Sequence, residues 1–155
     1  MSTLVLGIGD IELCDEGIGV HATRYLLDHY PELKDTFFLD GGTLSFPLAA
    51  PFEDSQNLII IDAARLDDRP GTMKTFVGTE IDDYLHSQTK HSVQEVGLMD
   101  LMPKVRLSGY LPQNRALIAI QPNHVGWGDL PSEELQAAIP KICERAVGLI
   151  ADWQV

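Results

Sequence analysis

The sequence predicts a three-layer α/β/α domain. Two observations carry that prediction. Short apolar runs alternate along the chain with stretches of helical period, and the strongest runs are apolar at every position, as parallel strands buried on both faces must be. A third observation concerns placement: Asp10, Asp40, Asp62 and Gln121 each follow the end of an apolar run. In sheets of this kind, binding and catalytic groups gather just beyond the carboxyl ends of the strands.

The elements follow in order. Leu4-Val5-Leu6 reads as a first buried strand that ends at Gly7. From Gly17 onward Ile18, Ala22, Tyr25, Leu26 and His29 recur near a period of 3.6, which predicts a helix that Pro31 stops. Phe37-Phe38-Leu39 is a second strand, broken by Asp40-Gly41-Gly42, and Leu44 to Phe52 reads as a short helix interrupted by prolines. Leu58-Ile59-Ile60-Ile61 is the strongest strand signal and ends at Asp62. Pro70-Gly71 marks a turn before an alternating edge strand, Met73 to Val77. Ser92-Val93-Gln94-Glu95 has the form of a capping box and starts a helix that runs to about Leu101. Ala116 to Ile120 is a further buried strand, closed by Gln121-Pro122. A final helix covers about Ser132 to Trp153, with Leu135, Ile139, Ile142, Ala146, Leu149 and Ile150 on one face. With no repeat, linker or low-complexity stretch, residues 1–155 are expected to form a single domain.

At 155 residues and 45% apolar content, the chain can bury roughly 70% of the surface its unfolded form exposes. Its 23 acids against 11 bases leave a formal charge of −12, which makes nucleic acid and anionic membrane surfaces poor partners and leaves metal cations open. No apolar run approaches the roughly 20 residues that span a bilayer, so no membrane insertion is expected. Cys14 and Cys143 form no C-x-x-C pair, and the N-terminus lacks the basic and apolar regions of a signal peptide. Both features point to the cytoplasm.

The opening stretch, "LVLGIGDIELCDEGIGVH" from Leu4 to His21, holds most of the chemistry. A dinucleotide fingerprint would need a third glycine where Glu12 stands, and the P-loop signature is absent too. The loop is no phosphate cradle. It reads instead as a carboxylate site: Asp15 and Glu16 precede a glycine-opened helix. Capping the positive helix end would account for them equally well. Asp62 tips the balance. A carboxylate at the end of the most buried strand needs a hydrogen-bonding partner or a cation, and Arg65 is the one close base. Of the five histidines, His21 and His29 fall on the first helix as packing or surface residues. His91, in the loop before Ser92, is the best-placed ligand. A Glu/Asp/His set with open coordination suits nickel or zinc. There is no G-x-S-x-G elbow, and in a Cys14–His91 pair the acids beside Cys14 would blunt the thiolate.

Taken together, these segments resemble the hydrogenase maturation proteases, the endopeptidases that finish nickel–iron hydrogenase large subunits. The resemblance covers nearly the whole chain: the opening stretch, "LDGGT" (39–43), "LIIIDA" (58–63), "PGTM" (70–73), "EVGLMDL" (95–101), "SGYLP" (108–112) and "IQP" (120–122). It implies a mixed, twisted, mostly parallel five-stranded sheet between helices. It further implies recognition of a [NiFe]-hydrogenase large-subunit precursor whose nickel is already inserted, and removal of its C-terminal extension. The nickel would be substrate-borne, with cadmium or zinc as surrogates. The family's metal-contacting glutamate and aspartate fall on Glu16 and Asp62, and the aspartate of its D-G-G-T segment, tied to recognition or cleavage, on Asp40. Three positions depart from the pattern: Asp10 stands for an asparagine, Glu12 for an apolar residue, and Gln94 for the histidine that is the third ligand. A carboxamide oxygen is a weaker nickel ligand than imidazole, which leaves Gln94 or His91 as the third contact. Nickel could then polarise the scissile carbonyl or activate a water, or a carboxylate among Asp40, Glu16 and Asp62 could activate the water while nickel holds the substrate. Gln94 favours the alternative of a nickel-reading binding protein of hydrogenase assembly that does not cut.

Overall fold

The all-apolar runs do become interior strands. A computed structural model of the chain describes residues 2–42, 55–87 and 111–154. Its sheet contains β1 (Thr3–Ile8), β2 (Thr36–Gly42), β3 (Asn57–Ala63), β4 (Met73–Val77) and β5 (Asn114–Ile120) in the order β2-β1-β3-β5-β4. Every pairing is parallel except β4 against β5. The sheet is therefore mixed and mostly parallel. All of β1 and β3 is buried, and Leu58 to Ile61 show no exposure. Each side chain of that size contributes about 1.5–3 kcal/mol by leaving water.

Period-2 alternation divides these strands between two layers. Val5, Ile59, Ile61, Ile118 and Ile120 point to one face. There they meet Ile18, Ala22 and Leu26 of α1 (Ile18–His29), with Ile142, Ala146 and Ile150 of the long C-terminal helix (Glu133–Trp153) completing the cluster. Leu4, Leu6, Leu58, Ile60 and Leu117 point to the other face, against Ile81, Tyr84 and Leu85 of α2 (Glu80–Ser87). The C-terminal helix is α3. The sequence reading placed no element at α2, although Ile81, Tyr84 and Leu85 keep helical spacing behind an acidic first turn. The helices expected at 44–52 and 92–101 lie outside the described residues.

β1 stands between β2 and β3, so successive connections leave it in opposite directions. Such a switch point opens a crevice at the carboxyl ends of the two diverging strands. Gly7 of β1 lies opposite both Ile61 of β3 and Asp40 of β2. β2 continues through Asp40 to Gly42, past the expected break, because a bulge between Gly7 and Ile8 lets Gly42 pair with Ile8.

Candidate functional site at the carboxyl ends of β1 and β3

Past Ile8 the chain turns at Gly9 and enters a short 3-10 turn, Cys14–Gly17, that leads into α1. Two glycines make the approach possible. Gly9 has φ +129° and faces the Glu16 carbonyl so closely that a Cβ could not fit. Gly19, in the first turn of α1, presses against the carbonyl oxygens of Ile8 and Ile61. The dinucleotide fingerprint assigns tight helix–strand packing to its third glycine. Here Gly19 does that work, seven residues beyond the Glu12 position, so the acid-bearing turn lies over the ends of β1 and β3 rather than a phosphate.

The neighbours Asp15 and Glu16 have opposite surroundings. Asp15 is fully buried. Its Oδ2 accepts the backbone N–H of Asn123 (2.7 Å) and His124 (2.8 Å) and the Ser132 hydroxyl (2.9 Å), and its Oδ1 accepts the Ser132 N–H (2.5 Å). Burial alone would raise its pKa, but the donors from His124, Ser132 and Asn123 more than offset this and hold it below the ordinary 3.8. Ser132 is the N-cap of α3, and its hydroxyl serves Asp15 instead of its own helix. The Asp15 charge thus lies at the positive end of α3. Its role is to tie the 121–132 segment to the site, a role sequence reasoning missed because the donors come from more than 100 residues away.

Glu16 is half-buried, and its Oε2 is shut from solvent with no hydrogen-bond partner among the described residues. Burial, reinforced by the negative charge of Asp10, raises its pKa above the ordinary 4.5. A carboxylate so placed has unspent capacity for a cation. Asp62, the penultimate residue of β3, is buried at 5% exposure. Both acids are thus carried at the carboxyl ends of β1 and β3, Glu16 through the contact of its backbone with Gly9 and Asp62 by its strand position.

The remaining expected residues divide as follows. Asp40 lies in β2 beside Gly7 by register, and its side chain falls outside what is described. His91 and Gln94 are outside the described residues. Among those described, no three His, Cys, Asp or Glu side chains are arranged to hold a metal ion. Gln121 is a structural lock: its Oε1 accepts the Leu66 N–H (2.6 Å) and its backbone bonds Gly71 and Thr72. Asp10 accepts the Glu12 N–H at 2.8 Å as a turn-former. His29 is exposed and stacks on Tyr25, as a surface role implies. His21 is half-buried with its Nε2 unpartnered among the described residues, and burial, with Arg24 nearby, lowers its pKa. Cys143 is buried in the core and burial pushes its thiol up to about 12, so it is no nucleophile.

A profile of hydrogenase maturation proteases of the HycI type matches residues 20–149. The hydrogenase expression/formation protein HupD of Rhizobium leguminosarum bv. viciae is 31% identical over 153 residues, 98% of this chain and 75% of its own length. The hydrogenase 2 maturation protease of Escherichia coli K12 is 31% identical over 152 residues, covering 92% of this chain and 88% of its own. Among solved structures, the hydrogenase maturating endopeptidase HybD from E. coli superposes with a TM-score of 0.85 at 27% identity, over 98% of this chain and 93% of that one.

Proposed function

Because the chain belongs to the hydrogenase maturation protease family, we propose that it is the endopeptidase that removes the C-terminal extension of a nickel-loaded [NiFe]-hydrogenase large-subunit precursor. Glu16 and Asp62 grip the nickel that the precursor brings. The observation that carries this reading is the Glu16 Oε2, buried and without a hydrogen-bond partner among the described residues, carried at the same end of the sheet as the buried Asp62. Burial and then the Asp10 charge raise the Glu16 pKa, and a cation that arrives beside the carboxylate relieves both costs. Two carboxylates leave most of a nickel coordination sphere open, so binding depends on ligands from the substrate, with His91 or Gln94 as a third contact from this chain. Nickel held in this way fixes the scissile segment at the sheet end, near Asp40. A carboxylate or the metal itself then directs water at the peptide carbonyl.

The test is incubation of the protein with nickel-loaded and nickel-free precursor, followed by mass spectrometry for the released C-terminal peptide. Release from the nickel-loaded form alone is expected, with loss of release in Glu16→Gln and Asp62→Asn. Equal release from nickel-free precursor would remove the metal-reading role. Nickel-dependent binding without release would leave a non-cutting nickel reader of hydrogenase assembly.

A further inference from the structure

The segment 121–132, which joins β5 to α3, is tied down at both ends and in the middle. Asp15 holds Asn123, His124 and Ser132 as described above, and the Asp15 N–H returns a bond to the His124 carbonyl (3.1 Å). At the centre Gly128 accepts from Cys14 (3.0 Å) and donates to Glu12 (2.9 Å), forming a bridge beside Leu13. Gly128 packs so closely on Cys14 Sγ that a Cβ there would lie 2.6 Å from the sulfur. This segment is nevertheless where apolar side chains face water: Val125 is 41% exposed, Trp127 81% and Leu130 67%. They are half of the six large apolar side chains exposed among the described residues, gathered within six consecutive positions. Exposed apolar groups concentrated this way mark contact surfaces, and tryptophan is among the side chains that most often anchor them.

We propose that this loop is the face on which the large-subunit precursor docks, with an apolar recess rimmed by basic side chains seated over Trp127 and Leu130. The proposal rests on the function proposed above and identifies the surface that meets that substrate. Two observations select the occupant. The first is continuity: Cys14 and Asp15, which hold the loop, immediately precede Glu16. A partner seated on Trp127 is thereby registered to the carboxylate that grips its nickel. The second is charge. Residues 121–140 contain Asp129, Glu133 and Glu134 and no Lys or Arg, and exposed Glu12 joins them through Gly128. An apolar anchor inside an acidic border fits a basic-rimmed recess and disfavours a second copy of this acidic chain. Because the loop is already ordered, little conformational entropy is lost when the partner lands.

The experiment measures binding of nickel-loaded precursor by calorimetry, and peptide release kinetics, for wild type, Trp127→Ala, Leu130→Ala and the pair Glu12→Gln/Asp129→Asn. Trp127→Ala is expected to raise Kd and KM at least about tenfold, the size of a contact hot spot, with kcat at saturation held within about twofold. Its melting temperature should match wild type, since the side chain is mostly in water already. The charge variant should flatten the salt dependence of binding. Wild-type cleavage together with an unchanged KM in Trp127→Ala and Leu130→Ala would overturn the docking face and leave the protease reading standing. Wild type that neither binds nor cleaves the precursor would remove both. Self-association of wild type that Trp127→Ala abolishes would assign the face to a second copy and overturn the proposal.

Discussion

At the scale of single residues, Asp15 and Glu16 are adjacent acids that the fold treats in opposite ways. Asp15 is given four donors and Glu16 Oε2 is given none among the described residues. Asp15→Ala strands three backbone N–H groups and a hydroxyl, and should destabilise the protein by about 2–4 kcal/mol, read by urea denaturation. The folded Asp15 carboxyl lies below 3.8. Its contribution is therefore present above that pH and is lost as pH falls through the folded value, which places it in the acid limb of unfolding. Glu16 has the reverse sign. Its folded pKa lies above 4.5, so the folded state holds a proton that the unfolded chain has released, and stability falls as pH rises through that window. Glu16→Gln should accordingly melt higher than wild type at neutral pH, with a flatter profile above 4.5, while losing precursor cleavage. A melting temperature below that of wild type would show that Glu16 is satisfied in the substrate-free protein. Such an exchange of stability for function is expected where a binding group is held unpaired. That acids precede a helix is legible in "CDEG". Which of the two is the staple is decided by donors at positions 123–132.

At the scale of elements, the strands align through a polar ladder as well as an apolar core. Asn57 Nδ2 donates to Thr3 Oγ1 (3.1 Å) and Asn114 Nδ2 donates to Asn57 Oδ1 (3.0 Å), at positions that lie side by side across β1, β3 and β5. A slip of one residue would break both bonds and turn every apolar side chain to the wrong face. This ladder sets the register at the amino end of the sheet, and so sets where Gly7, Ile61 and Asp62 finish at the other end. Helix α1 takes its place from Gly19 against the Ile8 and Ile61 carbonyls. Gly19→Ala puts a methyl against fixed backbone oxygens and must lift the start of α1. We expect a loss of about 1–3 kcal/mol, as for other overpacked sites, together with a fall in precursor cleavage steeper than the loss of folded protein. Cleavage that merely tracks the folded fraction would show that the Gly19 contact does not position Glu16. The strands and α1 were readable because their periodicity is local. Helix α2 carried the same signal in Ile81, Tyr84 and Leu85, next to the turn that follows β4.

At the scale of the whole molecule, a formal charge of −12 on 155 residues makes self-repulsion a general cost of folding. Screening should relieve it: raising salt from about 0.01 M to about 0.15 M shortens the Debye length from roughly 30 to 8 Å. The melting temperature is expected to rise over that range by scanning calorimetry. A fall would mean that attractive pairs outweigh the repulsion. Among the described residues no helix is long and apolar enough to cross a membrane, in line with the composition. The sequence by itself determined the layers, because a strand apolar on both faces can be satisfied only between two layers of helices. It also determined the family, through D-E-G-I-G, D-G-G-T and I-D-A in that order. Tertiary structure alone decided the rest. It brought Glu16 and Asp62, 46 positions apart, to one end of the sheet through the parallel β1–β3 register and the Gly19 contact. It also made Asp15 the anchor of a loop more than 100 residues away, and left Trp127 in water on that loop. Periodicity reports what each residue needs from its immediate neighbours, whereas partners this distant are chosen by which chain segments the folded sheet brings together.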